Sequence, residues 1–227
     1  MATSPGAPRA YRAACPNCGA PVEFASAASA SAVCSFCRST LVRDGEALQR
    51  IGVSAELFDD HTPLALGVSG RLSGEAFTLV GRLQYGYADG TWNEWHALFD
   101  NGRSGWLSED NGAYVFAFDA DAPADTPQPD ALRAGQAVRV GAREWNVASV
   151  VRAHLVAAQG ELPRPPRLEG DFLVADLRST QGDVATVDAS GSGLQWSVGR
   201  SVLLSALGLQ GLREVSEKTD RKSTRLN

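Results

Sequence analysis

Along residues 77–118 the apolar positions show no helical period. They fall into three runs rich in aromatic and β-branched residues, separated by Ala88-Asp89-Gly90, Asp100-Asn101-Gly102-Arg103 and Glu109-Asp110-Asn111-Gly112. Turn clusters at such short intervals predict an antiparallel meander. Its register follows from the need to bury one face. A two-residue loop at Asp89-Gly90 would set Gln84 opposite Trp95 and Leu83 opposite His96, mixing core and solvent on both faces. A three-residue loop, with Gly90 left-handed, pairs Leu83 with Trp95 and Leu79 with Phe99, and Arg82 with His96 and Gln84 with Glu94. The second register keeps the apolar set inward and is the one expected. In the next hairpin Asn101-Gly102 sets Ala97 opposite Trp106 on the same buried face.

Beyond the meander, the acidic and Pro-rich stretch 119–130 cannot join a ladder and reads as a surface loop or hinge. Strand patterns resume at 136–140, 144–158, 171–177, 184–188 and 194–198, and residues 161–167 form a stiff extended loop with three prolines. The apolar run 202–209 fits a strand or a helix equally well. Residues 67–79 echo residues 135–147 at a constant offset: Gly67 on Gly135, Arg71 on Arg139, Leu72 on Val140, Phe77 on Trp145 and Leu79 on Val147. This predicts a two-fold internal repeat, two related β halves around one core.

The most specific chemistry lies upstream. Cys15 and Cys18 form one Cys-x-x-Cys pair and Cys34 and Cys37 a second, with fifteen residues between the pairs. Each pair makes a knuckle whose thiolates reach one ion, and the spacer allows a short hairpin to return the second pair and complete a tetrahedron. The pattern is that of a zinc ribbon holding one structural Zn2+. A redox pair or an iron-sulfur centre competes less well, because a redox role needs only one pair and the spacing between the pairs suits zinc. Residues 25–32, all alanine and serine, sit where a ribbon places strands and predict a short, loosely held fingertip.

Composition narrows the partners. The net charge of -5, with 44% hydrophobic and 21% charged residues, argues against a chain whose main business is phosphate backbones. Over residues 1–50 five arginines face Glu23, Asp44 and Glu46, and a zinc ion held by four thiolates contributes about -2. The ribbon is then close to neutral, without an aromatic stacking platform, so nucleic acid is an unlikely partner. The first residues lack the apolar centre of a signal peptide, no transmembrane stretch is present, and the reduced cysteine pairs fit a cytoplasm.

A second candidate is Trp92-Asn93-Glu94-Trp95-His96. In the expected register Glu94 and His96 share a solvated face with Arg82 and Gln84 opposite and Trp92 beside them. That arrangement makes a polar recognition patch for a partner or a Glu-His acid-base pair, weighed against a plain solvated face with cross-strand polar pairs. The three histidines are scattered, and no phosphate loop or nucleophile elbow occurs, so no catalytic residue is assigned. Trp95, Trp106, Trp145 and Trp196 read as core.

Cys-Pro-Asn-Cys-Gly-Ala-Pro-Val-Glu-Phe with Cys-Ser-Phe-Cys, then Gly-Arg-Leu-Gln-Tyr, Trp-Asn-Glu-Trp-His, Gly-Trp-Leu-Ser-Glu and Gly160-Glu161-Leu162-Pro163 resemble the bacterial proteins that join an N-terminal zinc ribbon to a β-rich domain of unknown function. The resemblance implies a non-enzymatic module encoded beside membrane-associated stress proteins and polyamine-synthesis enzymes. The expectation is therefore an all-β protein, an N-terminal zinc ribbon followed by an antiparallel meander or barrel-like domain. The divisions are a tail (1–14), the ribbon (15–41), a linker (42–62), a first β half (63–118), an acidic loop (119–130), a second β half (131–212) and a disordered tail (213–227) that resembles translated adaptor sequence. Its expected role is a cytoplasmic adaptor, peripheral at the inner membrane, whose β face recruits a protein partner. A nucleic-acid-associated ribbon protein and an enzyme using Glu94 and His96 are the alternatives.

Overall fold

The computed structural model describes residues 10–57, 61–190 and 193–214. The outermost parts of both expected tails lie outside the described residues. Residues 11–14, expected in the N-terminal tail, are instead strand β1 (Tyr11–Ala14), paired with β2 (Pro21–Phe24). Strand β3 (Ser31–Val33) leads into a hairpin, β4 (Ser39–Asp44) and β5 (Ala47–Val53), where a linker was expected. The turn at Gly45-Glu46 makes this possible, because Gly45 supplies a left-handed φ of 61°.

The rest is strand as well. β6 (Ser69–Leu72), β7 (Glu75–Tyr87), β8 (Gly90–Phe99), β9 (Ser104–Asp110) and β10 (Ala113–Ala120) form the meander. β11 (Ala137–Val140), β12 (Arg143–Leu162), β13 (Phe172–Ser179), β14 (Asp183–Asp188) and β15 (Gln195–Val202) form the second half. The fold is all-β; two short 3-10 turns, Pro129–Ala131 and Leu204–Leu207, are the helical pieces among the described residues. The ambiguous run 202–209 is thus the end of a strand followed by a 3-10 turn.

Eight strands close into an antiparallel barrel: β7 to β10 in order, then β15, β14, β13 and β12, with β12 returning to β7. The internal echo is real in three dimensions. Leu79 bonds to Gly67 and Val68 as Val147 bonds to Gly135 and Gln136, and β6 meets β7 in the register in which β11 meets β12. Both long strands bulge at the same place, between Leu79 and Gly81 and between Val147 and Ser149. Leu79 pairs with Ala97 as Val147 pairs with Leu177, so the offset of 68 residues becomes 80 from the second strand of each half onward. The twelve extra residues are shared between the extended end of β12 and the loop that joins it to β13. Two pairs of equivalent residues, Gly86 with His154 and Phe118 with Val198, face each other across the two seams that close the barrel.

Each half carries its own apolar layer on the outside of the barrel. Residues 64–68 and 202–209 cover Phe77, Leu79, Trp95, Phe99, Leu107 and Phe116 on the first half. The acidic Pro-rich loop, through Leu132, covers Trp145, Val147, Leu177, Val187 and Trp196 on the second. Both barrel faces are therefore screened from water, which is where the expected register fails. The first turn is Ala88-Asp89, with Tyr87 paired to Gly90, so Leu83 meets Glu94 and Arg82 meets Trp95. The bulge after Leu79 then restores apolar pairing, with Leu79 on Ala97 and Phe77 on Phe99. In the next hairpin the loop has three residues, 100–102, with Gly102 left-handed, and Ala97 meets Gly105 while His96 meets Trp106.

β12 ties the parts together. Its first residues pair with β11 and β13, its middle with β7 and its last three with β3 of the cysteine module. This crossing is tight: a Cβ on Gly160, whose φ is 72°, would lie 2.2 Å from the Val80 carbonyl oxygen. Gly160→Ala is expected to cost about 2–4 kcal/mol, from left-handed strain plus overpacking. Gly112→Ala, at a left-handed turn with open space around it, is expected to cost about 1 kcal/mol. Denaturant melts of the two variants check this; equal losses would contradict the close approach.

Candidate functional site

The four cysteines come together because two loops fold alike. Cys15 N–H donates to Ala20 O and Gly19 N–H to Cys15 O; Cys34 N–H donates to Ser39 O and Arg38 N–H to Cys34 O. Gly19 and Arg38 hold the matching left-handed position, φ 75° and 58°. All four Sγ atoms lie within 4.8 Å of one another, with Cys15 to Cys37 at 3.6 Å and Cys18 to Cys34 at 3.7 Å. A tetrahedral ion with metal–sulfur bonds of about 2.3 Å separates its ligands by about 3.8 Å. The donor set fits, and these cysteines could bind a metal ion. The Ser39 hydroxyl, with help from Asn17 and the Ser39 backbone, draws the Cys37 thiol down to about 5.

The alanine-serine run is not a loose fingertip. Ser26, Ser29 and Ser31 are buried, and the run wraps the buried carboxylate of Glu161. That carboxylate accepts from the Ala25 N–H at 2.6 Å, the Ser26 N–H at 3.1 Å and the Ser29 hydroxyl. Small side chains are needed there so that the backbone can reach β12. Ser54 Oγ adds a second clasp, accepting from the Ala158 N–H at 2.7 Å and donating to the Ala158 carbonyl. Nothing in the spacing of the sequence points to Glu161 as the organising residue of this joint.

The five residues expected on one solvated face are split between two buried ones. Arg82 and Gln84 point to the covered outer side with Asn93 and Trp95. There Arg82 Nε and Nη2 donate to Asn93 Oδ1 at 2.9 and 2.7 Å, and Asn93 and the Trp95 indole donate to Glu109. Thr62 and Tyr114 complete the set on Glu109, so this network holds the covering segment to the barrel. His96 is fully buried. Its Nδ1 donates to the Glu161 carbonyl at 2.8 Å and its Nε2 accepts from Ser104 Oγ at 2.9 Å, so burial lowers its pKa and it clamps β8 to β12. Glu94 and His96 do not form a pair.

Trp92 and Glu94 face the barrel lumen. Its cavity has a volume of ≈ 370 Å³, and an adjoining lobe of ≈ 350 Å³ shares Trp92, Glu94, Trp106, Arg164, Thr186 and Asp188 with it. Tyr85 stacks on Trp92 with centroids 5.0 Å apart, and Phe172 meets Tyr85 edge-on. Trp106, expected in the core, is both packed against Val33 and Leu162 and part of the lumen wall. Glu161 and Leu162, expected in an extended loop, are the end of β12; Arg164, just beyond it, forms a half-exposed pair with Asp119 and lies 5.7 Å from the Trp106 ring centroid. Glu94 touches cavity rather than bulk water; burial, then the charge of Asp188, pushes its pKa up to about 7, with the Trp92 indole and Arg164 pulling the other way and Asp119 adding to the rise. Asp188 is raised too, chiefly by burial.

The fold and its sites define an all-β protein in which a four-cysteine module is clasped to a closed eight-stranded barrel. Residues 65–204 match the family model described as a domain of unknown function, DUF4178, and the chain belongs to that family. No curated protein and no solved structure matches the chain. Among the described residues no helix is long and apolar enough to cross a membrane.

Two outcomes follow from this geometry. Purified protein should carry about one metal ion per chain, and Cys15→Ser/Cys34→Ser should lose it. That variant should keep the near-UV signal of the five tryptophans, all of which lie within 92–196; a metal content unchanged by the substitutions would refute the site. For Glu94 the folded state holds its proton more tightly than the unfolded chain, so stability falls as pH rises from about 4.5 to about 7. Glu94→Gln should therefore be the more stable protein at pH 8, by about 1–3 kcal/mol after allowing for cavity water. The gap should close below pH 5 in denaturant titrations, and a gap that widens toward acid would contradict the assignment.

Proposed function

We propose that this chain is a non-enzymatic binding protein: the cysteine module holds a structural zinc ion, and the barrel lumen captures a small ligand. The observation that carries the reading is the lumen itself, a cavity inside a closed barrel whose wall combines Trp92, Trp106 and Trp196 with valines, six carboxylates and two arginines. Binding sites are commonly built this way, from apolar walls and a small number of placed polar groups. Zinc is the ion favoured by four thiolates in a tetrahedral array, and such a closed site has no open position for substrate. Its role is to fold the segment that clasps Glu161 and so steadies the neighbouring loop.

The adaptor role implied by the resemblance to stress-associated proteins fits this division of labour. Phe36 stands exposed at the tip of the second knuckle and β5 lies at the edge of the sheet, which leaves the cysteine module free to meet a protein partner while the barrel holds its ligand. A polyanion such as nucleic acid finds an acidic lumen and a nearly neutral module. A catalytic reading draws support from one observation, the raised pKa of Glu94 inside a cavity, as a general base requires. Against it, both ring nitrogens of His96 are engaged elsewhere.

A fragment screen by saturation-transfer NMR tests the proposal. The protein should bind a subset of small aromatic fragments, and Val115→Trp, which fills the lumen from β10, should abolish that binding while the melting temperature is retained. Fragments that bind both proteins equally would move the site out of the barrel.

A further inference from the structure

The pseudo-symmetry of the barrel is broken at one place, and that place carries a charge into the lumen. Where β7 and β8 are joined by the two-residue turn Ala88-Asp89, the equivalent strand β12 is extended to Leu162 and is followed by a longer loop to β13. It leaves the barrel at Leu162, and its Arg164 is anchored through the backbone, where the Ser31 hydroxyl donates to the Arg164 carbonyl at 3.0 Å. From that anchor the guanidinium turns back inward to Asp119 and the Trp106 face. Burial works against its charge, but Asp119, Glu94 and Asp188 outweigh that cost.

The lining explains why a cation belongs there. Six acidic side chains line the main cavity against two basic ones, Arg164 and Arg178. Asp176 is satisfied by Ser149 and Thr186. Elsewhere on the wall the bonds are sparser: among the described residues Glu94 receives the Trp92 indole at 3.4 Å, and Asp119, about half exposed, receives the Trp106 indole at 3.4 Å besides Arg164. Carboxylates hydrogen-bonded to the Trp92 and Trp106 indoles form a receptor for a protonated nitrogen through charge and hydrogen bonding, with the Trp106 ring within reach of cation–π attraction. Val115, Val151, Val174 and Val184 continue the wall beyond these carboxylates and suit an apolar body attached to that nitrogen.

We propose that the lumen binds a small organic amine or guanidine with an apolar body, and that Arg164 occupies the cation position in the unliganded protein and is displaced by the ligand. This rests on the lumen being the binding site. It also assigns the long β12–β13 connection a function, as a tethered competitor that leaves the mouth when the ligand's cation takes its place. Primary amines and guanidines are favoured over quaternary ammonium because Arg164 uses hydrogen-bond donors, not only charge.

Three probes of one shape separate the possibilities at pH 8, on the full chain with its metal: phenethylamine, 2-phenylethanol and 3-phenylpropanoate, followed by calorimetry and by tryptophan fluorescence. Phenethylamine should bind best. Arg164→Ala should tighten it by about tenfold and Glu94→Gln/Asp188→Asn should weaken it by about tenfold, each the equivalent of about one charge contact. Binding of the alcohol or the carboxylate as tightly as the amine, and lost in Val115→Trp, would overturn the cation assignment while leaving the lumen as the site. Amine binding that survives Val115→Trp would overturn both. If none of the three binds either the natural protein or Arg164→Ala, the displacement mechanism is wrong.

Discussion

Closure of the barrel is the constraint on which the rest of the structure depends. Eight strands that return on themselves have no free edge, but they have two faces, and both must be provided for. Outside, each half is covered by its own connecting segments, residues 61–68 on one and the acidic Pro-rich loop on the other. Inside, the lumen is only partly filled by side chains. The space left over is bounded by Trp92, Trp106 and Tyr85 and by carboxylates, of which Glu94 and Asp188 are largely buried. The ionisation of Glu94 and the inward course of Arg164 are both consequences of that enclosure.

The joint with the cysteine module follows from the same strand. β12 is long enough to serve the barrel along most of its length and to pair with β3 at its end. At the crossing, the Glu161 carboxylate is wrapped by residues 25–29, the Glu161 carbonyl is held by His96, and the next residues run into the Arg164 loop. One residue thus joins the four-cysteine module to the barrel wall and leads into the loop that carries Arg164. The glycines at 81 and 160 are the steric condition for it, since neither position has room for a Cβ.

Much of this was legible in the sequence. The four-cysteine cluster was readable from two Cys-x-x-Cys pairs, because ligand chemistry fixes spacing tightly. The all-β fold was readable from turn clusters, and the repeat from Gly67 and Gly135, whose left-handed conformations start the same motif twice. Register was not, because it follows from the pattern only when a single face is buried. A closed barrel buries both, so a slip of one residue carries no hydrophobic penalty that a reader of the pattern can see, and a bulge after Leu79 absorbs the mismatch. Glu94 and His96 therefore looked like a solvated pair when one lines the lumen and the other is a clamp. Glu161 and Arg164 were hidden for a different reason: their partners are more than 40 residues away in the chain, and no local pattern reports such contacts.

The most direct test of the account is the ionisation of Glu94, followed by the carboxyl carbon-13 resonance through a pH titration with and without phenethylamine. An acidic lumen that buries Glu94 and is receptive to a cation requires Glu94 to titrate near pH 7 alone and at a lower pH when the ammonium is present. A Glu94 that titrates below pH 5 and does not respond to the amine would contradict the enclosed, cation-binding lumen.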